Sequence, residues 1–129
     1  MNSYDGMVNK IIIFLSVYIY NFLRFILENG FKKQKQIIRD RLLDGNRIGP
    51  KILDIGCGTG TYAGLFDANN YFGLEITPSY IKYAKQHKKG NFICADARHI
   101  PFKNKTFGAI CLIAIFHHLS ISHVTDILK

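Results

Sequence analysis

The sequence predicts an α/β fold, a parallel sheet with helices packed against it, and three observations carry the prediction. A glycine-rich turn, Gly56-Cys-Gly58-Thr-Gly60, joins a short apolar run (Ile52, Leu53, Ile55) to a helix-like stretch. Strand-like runs begin near Lys51, Tyr71, Asn91 and Ala109, with helix or loop signals between them. Those runs are nearly continuous in apolar residues rather than alternating, the pattern of strands covered on both faces.

Taken in order, residues 1–48 read as an N-terminal helical extension and residues 49–129 as the sheet-forming unit. The segment Ile11–Leu27 is strongly apolar, and its uncharged part ends at Leu23. As a helix that part is about 20 Å long, short of the roughly 30 Å hydrocarbon core of a bilayer. Three readings stay open: a lid or packing helix, an in-plane membrane anchor, and a span with Arg24 snorkelling. A signal peptide fits poorly, because no small-residue cleavage site follows. Phe31–Asp44 sets Lys32, Lys33, Lys35, Arg39 and Arg41 against Phe31, Ile37, Ile38, Leu42 and Leu43. This is an amphipathic helix with Gly45 as its stop, and residues 11–41 together suit an anionic membrane surface.

The glycine turn should lead into a helix over Thr61–Phe66. Thr77 and Pro78 mark the start of the next one, with Thr77 at the N-cap and Pro78 at the first helical position. Residues 98–106 read as loop around Pro101, and Ser120 or Ser122 can cap a last helix.

Composition narrows the function. Seventeen basic against nine acidic residues give +8, which permits an anionic partner. The excess is spread evenly along the chain, with no Arg-rich arm or aromatic–basic platform, so nucleic acid is not the expected partner. Cys57, Cys94 and Cys111 are odd in number and lack a C-x-x-C pairing. Neither a disulfide framework nor a metal site is expected, and a reducing, cytoplasmic setting follows. Cys94 and Cys111 fall in strands that should be buried.

In parallel sheets ligands bind beyond the carboxyl ends of the strands. Asp54 and the glycines follow the first run, Glu75 the second, Asp96 the third, and His117 and His118 the fourth. Carboxylates at one sheet edge suit a ligand rich in hydroxyl, amino and cationic groups. Glu75 is placed to accept ribose hydroxyls, and Asp96 an exocyclic amino group. Gly58-x-Gly60-x-x-Ala63 also matches the relaxed dinucleotide pattern, so a nicotinamide domain is the competing reading. Asp54, two residues ahead of the first glycine, would repel a pyrophosphate and favours a ligand with a cationic part.

Asp54-Ile-Gly56-Cys-Gly58-Thr-Gly60, Glu75, Asp96, Pro101-Phe102, Phe107 and His117-His118-Leu119 together resemble the class I S-adenosylmethionine-dependent methyltransferases. The resemblance covers Lys51–Lys129 and is closest to the group acting on small molecules, quinones and lipids. It implies a Rossmann-like sheet whose first four strands run in the order 3-2-1-4, with S-adenosylmethionine as cofactor. It places Gly56, Cys57, Gly58 and Gly60 along the methionine part, Asp54 toward its amino group, Glu75 on the ribose, Ile76 on the adenine face, and Asp96 with Ala97 at the adenine edge. His117 and His118 are candidate bases for an acceptor that must lose a proton. The implied reaction is direct displacement onto a small or lipid-like acceptor. The family pattern continues past a fourth strand, so the chain reads as truncated at Lys129, with an exposed fourth-strand edge open to self-association. The alternative is a partial cofactor-binding module with an interaction or membrane role.

Overall fold

The computed structural model describes residues 15–26, 32–43, 51–113 and 120–127. Helix α1 occupies residues 15–26. Helix α2 spans Lys32–Ile38 and runs on as a π-helical turn over Arg39–Leu43. Then come strand β1 (Ile52–Ile55), a 3-10 turn (Ala63–Leu65), β2 (Tyr71–Glu75), α3 (Pro78–His87), β3 (Asn91–Cys94), β4 (Ala109–Leu112) and α4 (Ile121–Ile127). The four strands form one sheet of order β3-β2-β1-β4, and every pairing is parallel. The expected architecture and strand order are therefore present.

Alternation along β1 divides the core. Leu53 and Ile55 face one way and meet Leu74, with Phe72, Phe102, Phe107, Ile110 and Ile127 packed around them. Cys57, Tyr71, Ile81, Ala84 and Phe92 form the second cluster, on the face covered by α3. Ile81 and Ala84, three residues apart, lie on one side of α3 and are buried there, as helical spacing requires. Each such large apolar side chain contributes about 1.5–3 kcal/mol on burial.

Several local expectations change. The helix over Thr61–Phe66 is only the 3-10 turn Ala63–Leu65, closed by Phe66 N–H to the Ala63 carbonyl. Phe66 is already extended at φ −120° and Asp67 begins the turn into β2, leaving no length for an α-helix. Thr77 does occupy the N-cap of α3, but its side chain makes no capping bond, while Pro78 stands at the first helical positions. The Thr77 N–H is instead tied to Glu75 Oε1 at 3.0 Å. Cys94 is exposed rather than buried, because β3 is an edge strand with an exposed last residue; Cys57, in the glycine turn, is buried in its place. Ile38 is buried against Tyr62, whereas its neighbour Ile37 is exposed. Gly45, Phe31, Asp44, His117 and His118 lie outside the described residues.

Helix α1 packs through its polar and aromatic side chains. Tyr20 stacks on Tyr80 with ring centroids 4.9 Å apart, and Tyr18 sets its edge to Tyr83 at 5.3 Å. Arg24 lies 5.6 Å from the Tyr20 ring and donates to its hydroxyl. Val17 is buried, while Ile19, Phe22, Leu23, Phe25 and Ile26 point outward and are more than half exposed. Among the described residues no helix is long and apolar enough to cross a membrane.

Candidate active site

Strand β1 delivers the chain to the glycine turn. Gly56 and Cys57 N–H both donate to the Leu74 carbonyl, at 2.7 and 3.1 Å, so the ladder with β2 holds the turn's first residues. Gly58 then has φ +56° and Gly60 φ +76°, a region costly for a side chain. A Cβ on Gly58 would meet nothing within 4 Å. The space beside Gly58 is open, and what a side chain would fill is free for a ligand.

Glu75, at the end of β2, reaches across to this turn. Its Oε2 accepts the Gly58 N–H at 3.2 Å while Oε1 accepts the Thr77 N–H. The carboxylate is thus oriented by two backbone amides before any ligand arrives, with acceptor capacity to spare. Ile76, next along, is 59% exposed, an apolar surface beside the turn. Asp96 follows β3 by two residues. Its carboxylate accepts from the Arg98 backbone N–H at 2.9 Å and from the Arg98 guanidinium through Nε and Nη2. Those Arg98 hydrogen bonds hold the Asp96 carboxyl well below the usual range. Ala97 packs on the Leu53–Ile55–Leu74 cluster.

Asp54 is the buried member of the set, 2% exposed. Burial pushes its carboxyl up to about 6; a hydrogen bond from Tyr71 opposes the rise and the nearby Glu75 charge adds to it. The Tyr71 hydroxyl donates to Asp54 Oδ2 at 2.6 Å, and such a bond to a charged group is worth about 1.5–3 kcal/mol. Burial, then Asp54 and Glu75, push the Cys57 thiol up, and burial with Asp54 raises Cys111 to about 12. Both thiols are therefore inert packing groups.

Asp54, the glycines, Glu75 and Ile76 thus come together at one end of the sheet, with Asp96 and Ala97 at the end of the neighbouring strand β3. Sequence reasoning missed three participants. Tyr71 was read only as strand, and the diagonal pairing that gives it Asp54 needs the register. Arg98 falls in the predicted loop, although Asp-x-Arg after a strand is a turn with a built-in counter-ion. Thr59, buried, donates to Asn21 Oδ1 at 2.5 Å, tying α1 to the glycine turn. A cavity of about 370 Å³, lined by Leu53, Phe102, Phe107, Ile110 and Ile127 with Ala97, Arg98 and Lys103, lies on the sheet face opposite Asp54. It stands apart from the glycine turn. Among the described residues no cluster of three His, Cys, Asp or Glu is arranged to hold a metal.

Residues 53–129 match the family model described as a methyltransferase domain. The chain belongs to this methyltransferase family. Its relatives include an uncharacterised protein of Methanocaldococcus jannaschii, 35% identical over 89 residues, 68% of this chain and 33% of that one. Another is the tRNA (carboxymethyluridine(34)-5-O)-methyltransferase of Arabidopsis thaliana, 38% identical over 72 residues, 56% of this chain and 18% of that one. The chain therefore spans a third or less of the length of these relatives. Among solved structures, the amino pentose methyltransferase CalS10 of Micromonospora echinaspora superposes with a TM-score of 0.66 at 22% identity, over 84% of this chain and 48% of that one. The magnesium protoporphyrin IX methyltransferase of Synechocystis gives 0.62 at 23% identity, over 84% and 60%. The fold is that of the class I methyltransferases, S-adenosylmethionine is the cofactor of this domain, and the dinucleotide reading falls.

Proposed function

We propose that Asp54, Gly56, Cys57, Gly58, Gly60, Glu75, Ile76, Asp96 and Ala97 hold S-adenosylmethionine, and that residues 49–129 are the N-terminal part of a domain that passes its methyl group to an acceptor. The observation that carries the reading is Glu75: its carboxylate is fixed by the Gly58 and Thr77 amides at the rim of an open glycine turn. That is the arrangement a vicinal diol needs. Bound S-adenosylmethionine supplies a methyl group on a positively charged sulfur, which is an already activated leaving group. The protein's contribution is orientation, worth up to about 7–11 kcal/mol in such reactions. Glu75 accepts the hydroxyls, Ile76 covers the base, and Asp54 and Glu75 make the site negative toward a cationic ligand. His117 and His118 are the proposed bases where the acceptor must lose a proton.

The acceptor we favour is small or lipid-like, met at a membrane surface. Ile19, Phe22, Phe25 and Ile26 of α1 face outward, and exposed Lys32, Lys33, Arg39 and Arg41 follow on α2. An apolar face flanked by cations suits an anionic bilayer. A tRNA acceptor is the second reading, favoured by the names of several relatives.

Calorimetry tests the site: S-adenosylmethionine should bind, and Glu75→Ala and Asp96→Ala should each weaken binding at least tenfold. Unchanged affinity in both would remove the assignment. Radiolabelled methyl transfer offered to lipid extract and to bulk tRNA separates the acceptors.

A further inference from the structure

The buried pair Asp54–Tyr71 has a geometry that the cofactor contacts alone do not require. Tyr71 stands opposite Ile52 and Asp54 opposite Gly73, so the two side chains share a sheet face two residues apart along the strands. Two residues of strand cover about 6.6 Å, the reach of a tyrosine side chain, and the hydroxyl arrives at the carboxylate at 2.6 Å. The ring is held on three sides: Phe66 stacks at 5.6 Å, Phe92 meets it edge-on at 5.8 Å, and a Cβ on Gly90 would come within 2.8 Å of it. Tyr71 is 0% exposed. Such a hydroxyl has no route to water, and Asp54 is the acceptor it was built to meet.

Resting on the cofactor reading above, we propose that Tyr71 is a positioning residue of the site, fixing Asp54 as an oriented, ionised carboxylate beneath the glycine turn so that the cofactor's ammonium group is recognised by charge. The titratable groups around Asp54 are Tyr71 and Glu75 from β2, Cys57 from the turn and Cys111 from β4. None of them is a cation. Burial and Glu75 both favour the neutral acid, and Tyr71 alone works the other way. Removing its hydroxyl raises the Asp54 carboxyl further, by about one to two pH units for a bond of this kind. Between about half and nine-tenths of Asp54 would then be protonated at pH 7 and blind to the ammonium.

Tyr71→Phe keeps the ring and its packing, so the full chain should fold. Two readouts follow pH from 5 to 9: calorimetric affinity for S-adenosylmethionine, and the carboxyl carbon resonance of Asp54 in ligand-free protein. Titration of the ligand's own amino group is common to both proteins and cancels. In Tyr71→Phe both Asp54 midpoints should move about one to two units alkaline. Affinity at pH 7 should fall about two- to tenfold and recover at higher pH. Affinity for 5′-methylthioadenosine, which lacks the amino acid part, should not change. A midpoint unmoved within about 0.3 unit, or an equal loss for both ligands, overturns the proposal. Should Tyr71→Phe fail to fold, Asp54→Asn serves: with Tyr71 intact it must abolish the Asp54-dependent limb of the wild-type profile, and a wild type without that limb overturns the proposal. Wild-type protein that binds no S-adenosylmethionine at any pH defeats the cofactor reading instead, and the carbon titration still judges the Tyr71–Asp54 coupling.

Discussion

Gly73, in the middle of β2, is the position where the sheet and the glycine turn are pressed together. A Cβ there would lie 2.8 Å from Cys57 Sγ, 3.0 Å from Phe92 Cδ1 and 3.1 Å from Cys57 Cβ. Only the first of these is a side-chain terminus, and Cys57 is itself buried, 5% exposed. Overpacking of this kind costs about 1–3 kcal/mol. Replacing glycine in a strand returns about 0.5–1 kcal/mol of backbone entropy, so Gly73→Ala should lose about 1–2 kcal/mol net. For a domain of this size that is a fall in Tm of about 4–8 °C, measurable by calorimetry. The relief valve is Cys57: in Gly73→Ala/Cys57→Ala most of the loss should return, a coupling of about 1 kcal/mol between the sites. The displaced turn also carries the Gly58 N–H away from Glu75, so cofactor affinity should fall with stability and recover with it. Additivity of the two substitutions within about 0.3 kcal/mol would refute the packing argument.

Asn21→Ala removes the acceptor of the buried Thr59 hydroxyl and should loosen α1 by about 1–2 kcal/mol, seen as faster proteolysis within residues 15–26. Asp54 has a folded-state carboxyl raised from 3.8 to about 6, so the folded state holds a proton that the unfolded chain has released in that window. Stability relative to Asp54→Asn should therefore decline as pH rises from about 3 to about 7, by about 3 kcal/mol, in parallel denaturant titrations. Asp96 behaves oppositely: its depressed carboxyl contributes stability above the ordinary carboxylate range, lost as pH falls through it. Arg98→Ala should bring Asp96 back toward 3.8, followed by carboxyl carbon NMR.

The sheet was legible because each strand begins after a loop signal: Pro50, Asn69-Asn70, Gly90 and Gly108. Four starts placed near Lys51, Tyr71, Asn91 and Ala109 all fall within one residue of a strand. The glycine turn was legible for a related reason: few other chemistries place glycines at alternate positions between strand and helix. What escaped was lateral. The length of the turn after Gly60 depends on how soon Phe66 must reach Tyr71 for stacking, which no local propensity encodes. The burial of Cys57 and exposure of Cys94 follow from which strand is at the edge. Asn21–Thr59 joins residues far apart in sequence, and neither residue type signals the other.

Three carboxylates at neighbouring strand ends repel one another and, judged by residue type alone, would do the same work. The structure separates them by depth and by partner. Asp54 is fully buried, opposed by burial and supported by one phenol. Glu75 sits at the rim, with both oxygens on backbone amides. Asp96 is outermost and neutralised by Arg98. Asp54 has a charge that is easily lost near neutral pH, Glu75 has both oxygens held by main-chain amides, and Asp96 is held by one backbone amide together with a side-chain cation. In the proposed site, a ligand that is cationic at one end, a diol in the middle and an amino-bearing ring at the other would meet these groups in that order. Reversing any two of them would leave a buried acid facing a ring edge or a neutralised acid facing a cation. The order along the sheet edge, β1 to β2 to β3, is therefore what would give three similar side chains three different contacts in the proposed site.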